Sequence, residues 1–157
     1  MNAYQLIVVG VDGSDGGRRA LEWAVREAAE RGNAVQAVMV WSWDGLDYGP
    51  VTATTREEEQ QRASEVLAAQ VQEVISRYGS HLPIAAEAIE GRPADVLSAA
   101  ARNAGLLVLG SHGHSALRHT VLGSVSAECV RKATCPVVVI PVPIQQRAPV
   151  REPVPRH

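Results

Sequence analysis

Residues Leu6-Ile7-Val8-Val9-Gly10-Val11 form an unbroken apolar run, rich in β-branched side chains, that stops at Asp12-Gly13-Ser14. A half-exposed strand alternates apolar with polar residues, so a continuous run of this kind asks for burial on both faces. Parallel sheets covered by helices on each side provide that. The run predicts a first strand and commits the chain to a fold able to cover it twice. The chain contains no Phe and only 4% aromatic residues against 46% apolar ones, so its core has to be assembled from Val, Leu, Ile and Ala. At 157 residues there is material for one such core, not two.

Further runs follow at the intervals a βαβ chain requires. Ser14 is placed to cap a helix in which Leu21, Ala24, Val25 and Ala28 recur at helical spacing, with Gly32 to end it. Ala34 to Trp43 reads as the second strand, and Gly45, Gly49 and Pro50 mark a loop over 44–54. Thr55-Arg56-Glu57-Glu58 matches a capping box ahead of a long helix carrying Ala63, Leu67, Val71, Val74, Ile75 and Tyr78 on one face, with Gly79 after it. Pro83 to Glu90 reads as an edge strand. Pro93 opens a helix whose buried face is Val96, Leu97, Ala100, Ala101 and Ala104. Leu106 to Leu109 is the fourth strand, Gly123-Ser124 opens a helix to about Ala133, and Val137 to Val142 is the fifth strand. Strands alternating with helices predict an α/β domain: a five-stranded parallel sheet with helices on both faces, over residues 1–142. Residues 143–157, with four Pro and three Arg and no periodicity, are expected to form a flexible tail.

Charge and composition exclude several classes. The formal net charge of −2 divides into +2 over residues 143–157 and −4 over the rest, which leaves no basic face for a nucleic acid. Lys132 is the only lysine, so no G-x-x-x-x-G-K-[ST] phosphate loop exists. Cys129 and Cys135 have neither C-x-x-C spacing nor disulfide-scaffold density and read as reduced thiols, Cys129 in the core. The first apolar run is too short for a signal sequence or membrane span, and a cytoplasmic location is expected.

Open parallel sheets bind ligands beyond the carboxyl ends of their strands, where the strand order reverses. Two loops there carry suitable chemistry: Asp12-Gly13-Ser14 after strand one, and Gly110-Ser111-His112-Gly113, nine residues, then Gly123-Ser124 after strand four. Glycines let a ligand approach the backbone, and a helix starting at Ser124 adds oriented N–H donors, which together suit a phosphate. Glycines also occur in loops simply to make tight turns, and the spacing by itself does not choose between the two.

The motifs Val9-Gly10-Val11-Asp12-Gly13-Ser14, Gly91-Arg92-Pro93, the G-x2-G-x9-G-[ST] pattern at Gly110, Gly113, Gly123 and Ser124, and Pro136-Val137-Val138-Val139-Ile140 resemble the universal stress protein family over residues 4–142, in its ATP-binding branch. The resemblance implies a Rossmann-like, adenine nucleotide alpha hydrolase-like fold and homodimers. It implies that Gly110, Gly113, Gly123 and Ser124 hold the phosphates and ribose, with Gly13 and Ser14 beside them. Asp12 would face the nucleotide and reach a divalent metal, expected to be Mg. Val40 would meet the adenine through its backbone and side chain, with Leu109 and Val125 nearby. Gly105 departs from the family, which often has Asp there, at the far end of the fourth strand.

Other candidates have plainer readings. His112, His114 and His119 lack a Cys or second carboxylate at ligand spacing and read as loop positions or phosphate donors rather than a metal site. Arg118 could pair with outer phosphates or lie solvated on the surface. Trp41 and Trp43 are expected in packing rather than on a base, and Glu57-Glu58-Glu59 complements a helix dipole. No G-x-S-x-G elbow and no lysine in the cradle accompany the binding motif. The reading expected first is therefore a nucleotide-dependent regulator in a stress or dormancy response. A slow Mg-dependent ATP hydrolase using Asp12 stands as an alternative, and so does a partner-binding dimer, joined through strand five, in which nucleotide is incidental.

Overall fold

The structure, a computed structural model, describes residues 6–43, 54–79, 82–113 and 122–143. Among the described residues nine elements alternate: β1 (Leu6–Gly10), α1 (Asp15–Arg31), β2 (Ala34–Trp41), α2 (Arg56–Tyr78), β3 (Ile84–Glu90), α3 (Pro93–Ala100), β4 (Leu106–Gly110), α4 (Ser124–Lys132) and β5 (Val137–Ile140). All strand pairings are parallel and the order is β3-β2-β1-β4-β5. The order runs outward one way from β1 through β2 to β3 and the other way through β4 to β5, so the reversal falls between β1 and β4. β3 and β5 are the two edges, as the sequence suggests.

Alternate residues of the central strands feed two cores. Ile7, Val9, Val35, Ala37 and Val108 pack against Leu21, Ala24, Val25 and Ala28 of α1 and Ala63, Leu67, Val71 and Val74 of α2. Val8, Val38, Leu107 and Leu109 pack on the other face against Ala94, Leu97 and Ala101 and against Cys129 of α4. Each fully buried Val or Leu contributes about 1.5–3 kcal/mol, and β1 and β4 supply such residues to both layers, which is why their sequences carry no polar alternation.

The helix ends follow their caps. Ser14 accepts from Gly17 N–H, and Gly32 ends α1 in the left-handed region at φ 71°. The Thr55/Glu58 capping box is formed in both directions, with the Glu57-Glu58-Glu59 run in the first turn of α2. Several boundaries move inward from their sequence-based positions. β1 stops at Gly10, although Val11 N–H still reaches the Val38 carbonyl. β2 stops at Trp41. β5 stops at Ile140 because Pro141 has no N–H to continue the ladder. α3 ends at Ala100, and Ala104 is half-buried in the turn that follows. Tyr78, expected on the buried face of α2, is exposed. The loop at 44–54 lies outside the described residues except for Thr54, and so do residues 144–157 of the tail.

Candidate functional site

At the carboxyl end of the sheet, where β1 and β4 diverge, a cleft of about 200 Å³ opens between the β1–α1 turn, the loop after β4 and the start of α4. Of the residues the sequence singles out, Asp12, Ser14, Val40, Leu109, Gly110, Gly113, Gly123, Ser124 and Val125 line it. Gly13 does not; it turns the chain at φ 84°. Residues the sequence reading did not assign to the site complete the walls: Gly17, Val38, Leu97, Ser111 and Ser126 among them.

The two helices whose N-termini open on this cleft differ in how their first N–H groups are used. In α1, Ser14 Oγ accepts from Gly17 N–H at 3.1 Å, and Asp12 Oδ1 accepts from Ser14 N–H at 3.0 Å and from the Ser14 hydroxyl. The β1–α1 turn thus meets the Ser14 and Gly17 N–H groups with its own side chains. In α4 the N-cap is Gly123, which has no side chain to offer, and no side-chain cap hydrogen bond is made. Ser126, one turn in, donates its hydroxyl to the carbonyls of Ser111 (2.9 Å) and Gly123 (3.1 Å) instead of accepting. The helix start that remains open to an external anion is therefore that of α4.

The loop after β4 is pinned at its base. Ser111 N–H donates to the Ile140 carbonyl at 2.8 Å, and the Ser111 carbonyl receives both Gly123 N–H at 2.6 Å and the Ser126 hydroxyl. Positions 111 and 123 are thereby held together, whatever the course of the chain between them. The same loop packs backbone to backbone on α1: a Cβ added at Gly110 would lie 2.9 Å from the Gly16 carbonyl, and one at Gly16 would strike the His112 carbonyl. The Gly16-Gly17 pair in the first turn of α1 was the missed signal, since glycine there is a cost to the helix that capping does not require.

Other candidates resolve differently. His112 lines the cleft with Nδ1 3.0 Å from the Ser111 hydroxyl; His114, His119 and Arg118 lie outside the described residues. Trp41 packs against the α1–α2 core, and the exposed Trp43 donates its indole N–H to the Thr54 carbonyl, so neither ring lines the cleft. Burial pushes the Cys129 thiol up from its ordinary value, and Cys135 likewise, which leaves both poor thiolates. Gly105 lies at the opposite end of the sheet, in a second hollow beside Trp23.

Architecture and cleft define a doubly wound α/β domain with a ligand site at its topological switch point. The sequence profile described as the universal stress protein family matches residues 3–141, and the chain belongs to that family. It is 32% identical over 149 residues to a universal stress protein of Methanocaldococcus jannaschii, covering 90% of this chain and 85% of that one. It is also 32% identical over 171 residues to a universal stress protein of Mycobacterium tuberculosis, covering 94% of this chain but half of that protein's length. Among solved structures, a universal stress protein in complex with cAMP superposes with a TM-score of 0.67 at 26% identity, covering 88% of this chain and 98% of that one. The Archaeoglobus fulgidus universal stress protein in complex with dAMP gives 0.63 at 28%, covering 88% and 99%. No helix among the described residues is long and apolar enough to cross a membrane.

Proposed function

We propose that the protein binds an adenine nucleotide, ATP by preference, in the cleft at the switch point, and acts as a cytoplasmic homodimer whose nucleotide occupancy regulates a stress or dormancy response. The observation that carries this reading is the uncapped N-terminus of α4 beside Gly113 and Gly123. It presents backbone donors to the cleft while the neighbouring α1 terminus is capped by the Ser14 side chain. The relatives solved with cAMP and dAMP support the adenine class.

Backbone geometry supports adenine as well. Val11 N–H reaches the Val38 carbonyl on one side of β2, and Gly91 N–H reaches the Trp41 carbonyl on the other. By strand alternation the N–H and carbonyl of Val40 are directed to the first side, just past the end of β1. A donor beside an acceptor is the complement of the adenine N1/N6 edge. The apolar walls Leu97 and Leu109 suit the faces of the ring.

Asp12 is the only carboxylate among the described lining residues; it accepts from the Ser14 hydroxyl, and Ser124 lines the same cleft. One carboxylate with phosphate and water oxygens is how Mg²⁺ is commonly held, so these residues fit a Mg–ATP complex, in which the ion would offset phosphate charge. Isothermal titration of ATP into the parent and into Gly123→Val tests the reading. A side chain at 123 meets the Ser111 carbonyl, its Cβ at 3.0 Å, and is expected to cost about tenfold or more in affinity. Equal affinity in the two proteins would refute the site.

A further inference from the structure

Burial and polarity coincide at one place in this domain. Among the described residues only two polar or charged residues are buried, Ser111 at 4% and Ser126 at 3% exposure, and both line the cleft. They are also joined: the Ser126 hydroxyl donates to the Ser111 carbonyl at 2.9 Å and to the Gly123 carbonyl at 3.1 Å. Packing does not ask for a hydroxyl there. Cys129, three residues on, is the other buried residue of α4 and sits in an apolar core, and alanine would fill position 126 with better helix propensity.

The contrast with α2 shows what the serine leaves open. In α2 the third helical residue, Glu58, reaches back to Thr55 N–H at 2.8 Å, and Thr55 Oγ1 accepts from Glu58 N–H at 3.1 Å, so that helix start closes on itself. The same position in α4, counted from the N-cap Gly123, is Ser126, and no side-chain cap is made. Gly123 N–H and the Ser126 hydroxyl instead meet on one acceptor, the Ser111 carbonyl, at 2.6 and 2.9 Å. Ser111 N–H is in turn held by the Ile140 carbonyl at the end of β5. One hydrogen bond fixes a distance and lets the helix pivot; two from different residues of one turn also fix its direction.

We infer that Ser126 is the positioning residue for the phosphate end of the cleft: its hydroxyl ties the first turn of α4 to Ser111 and so aims the open N–H groups of that helix at the bound phosphates. This rests on the nucleotide reading above and deepens it. The serine acts through the helix, since its proton is committed to carbonyl oxygens. It also adds no negative charge, whereas a Glu at this position, as in α2, would answer the helix dipole itself and oppose an anion. Donors already held in place bind a phosphate more tightly than donors that must first be ordered. Adenosine, which has no phosphate, does not draw on this arrangement.

The full chain carrying Ser126→Ala, titrated with ATP and with adenosine at constant Mg²⁺ beside the parent, tests this. In the variant the Ser111 carbonyl keeps Gly123 N–H and the Gly123 carbonyl keeps Ala127 N–H, so no buried acceptor is stranded. ATP is expected to weaken by about five- to tenfold, the effect of one aimed hydrogen bond, while adenosine stays within about twofold. Adenosine binding thereby reports that the variant is folded. ATP affinity unchanged in the variant overturns the inference and leaves the nucleotide site standing. An equal weakening of both ligands, or loss of both, overturns it too, because the hydroxyl then serves the fold rather than the phosphate end. A parent that binds neither ligand refutes the nucleotide reading itself.

Discussion

The Asp12 carboxylate occupies the space that a side chain at position 113 would need: a Cβ on Gly113 would collide with Asp12 Oδ2. The first and fourth strands thus meet at the cleft through one acidic side chain and one absent one. The glycine pattern after β4 and the aspartate after β1, far apart in the sequence, are two halves of a single fitted contact.

Replacing Gly113 with Val therefore pushes Asp12 aside and fills the cradle. The expected outcome is an ATP affinity lower by about tenfold or more, with far-UV circular dichroism unchanged, since the cores on both faces of the sheet are untouched. Isothermal titration alongside the parent checks it; parent-like binding would show that the contact has no bearing on the ligand.

Asp12→Asn keeps the shape of the side chain and an oxygen able to accept from Ser14 N–H, but removes its charge. If Asp12 serves the metal, the parent binds ATP more tightly in Mg²⁺ than in EDTA and the variant loses most of that difference, a change of about tenfold. A variant with the parent's full magnesium response would place the ion elsewhere.

The expectation of a dimer through β5 turns on Val139, in register with Leu109 on an edge strand whose four residues are all half-buried. Val139→Asp is expected to shift the protein to the elution volume of a monomer, because a carboxylate cannot be buried unpaired in a strand-to-strand interface. An unchanged elution volume rejects that surface.

Thr55→Ala removes one side of the capping box at the start of α2, at a residue that does not line the cleft. The expected cost is about 1 kcal/mol, seen as a fall in Tm of about 2–4 °C, with ATP affinity unaltered. Thermal melts and a titration measure the two separately.

The Lys132 ammonium, bonded to Asp95 across α3 and α4, holds the Asp95 carboxyl below its ordinary value of 3.8. A carboxyl depressed in the folded state stabilises above its unfolded pKa and loses that contribution as pH falls through the lower folded value. Urea unfolding of Asp95→Asn should therefore show a shallower loss of stability than the parent below about pH 4, while near pH 7 the parent is the more stable. Identical acid limbs would contradict this.

Much of this arrangement was legible before any coordinates. The doubly buried runs of β1 and β4 gave the parallel sheet, because continuous β-branched segments have few other uses. Ser14, Gly32, Thr55 and Pro93 mark helix ends by chemistry that is local and hence readable in sequence. Strand ends were less legible, since Val11 and Trp43 are as apolar as their neighbours and only the partner strands decide where pairing stops. The roles of Gly16 and Gly17 were hidden for the same kind of reason: they answer to His112, Gly110 and Asp12, residues distant in the chain. Nor could spacing tell which of two helix starts was already capped, which depends on where Asp12 and Ser14 direct their oxygens.

Because Gly16 and Gly110 touch main chain to main chain, the depth of the cleft is set by polypeptide rather than by side chains. A floor built in this way is insensitive to the identity of the residues above it. Evolution can then repaint the walls, exchanging one lining residue for another to suit a different occupant, without re-engineering the foundation on which they stand.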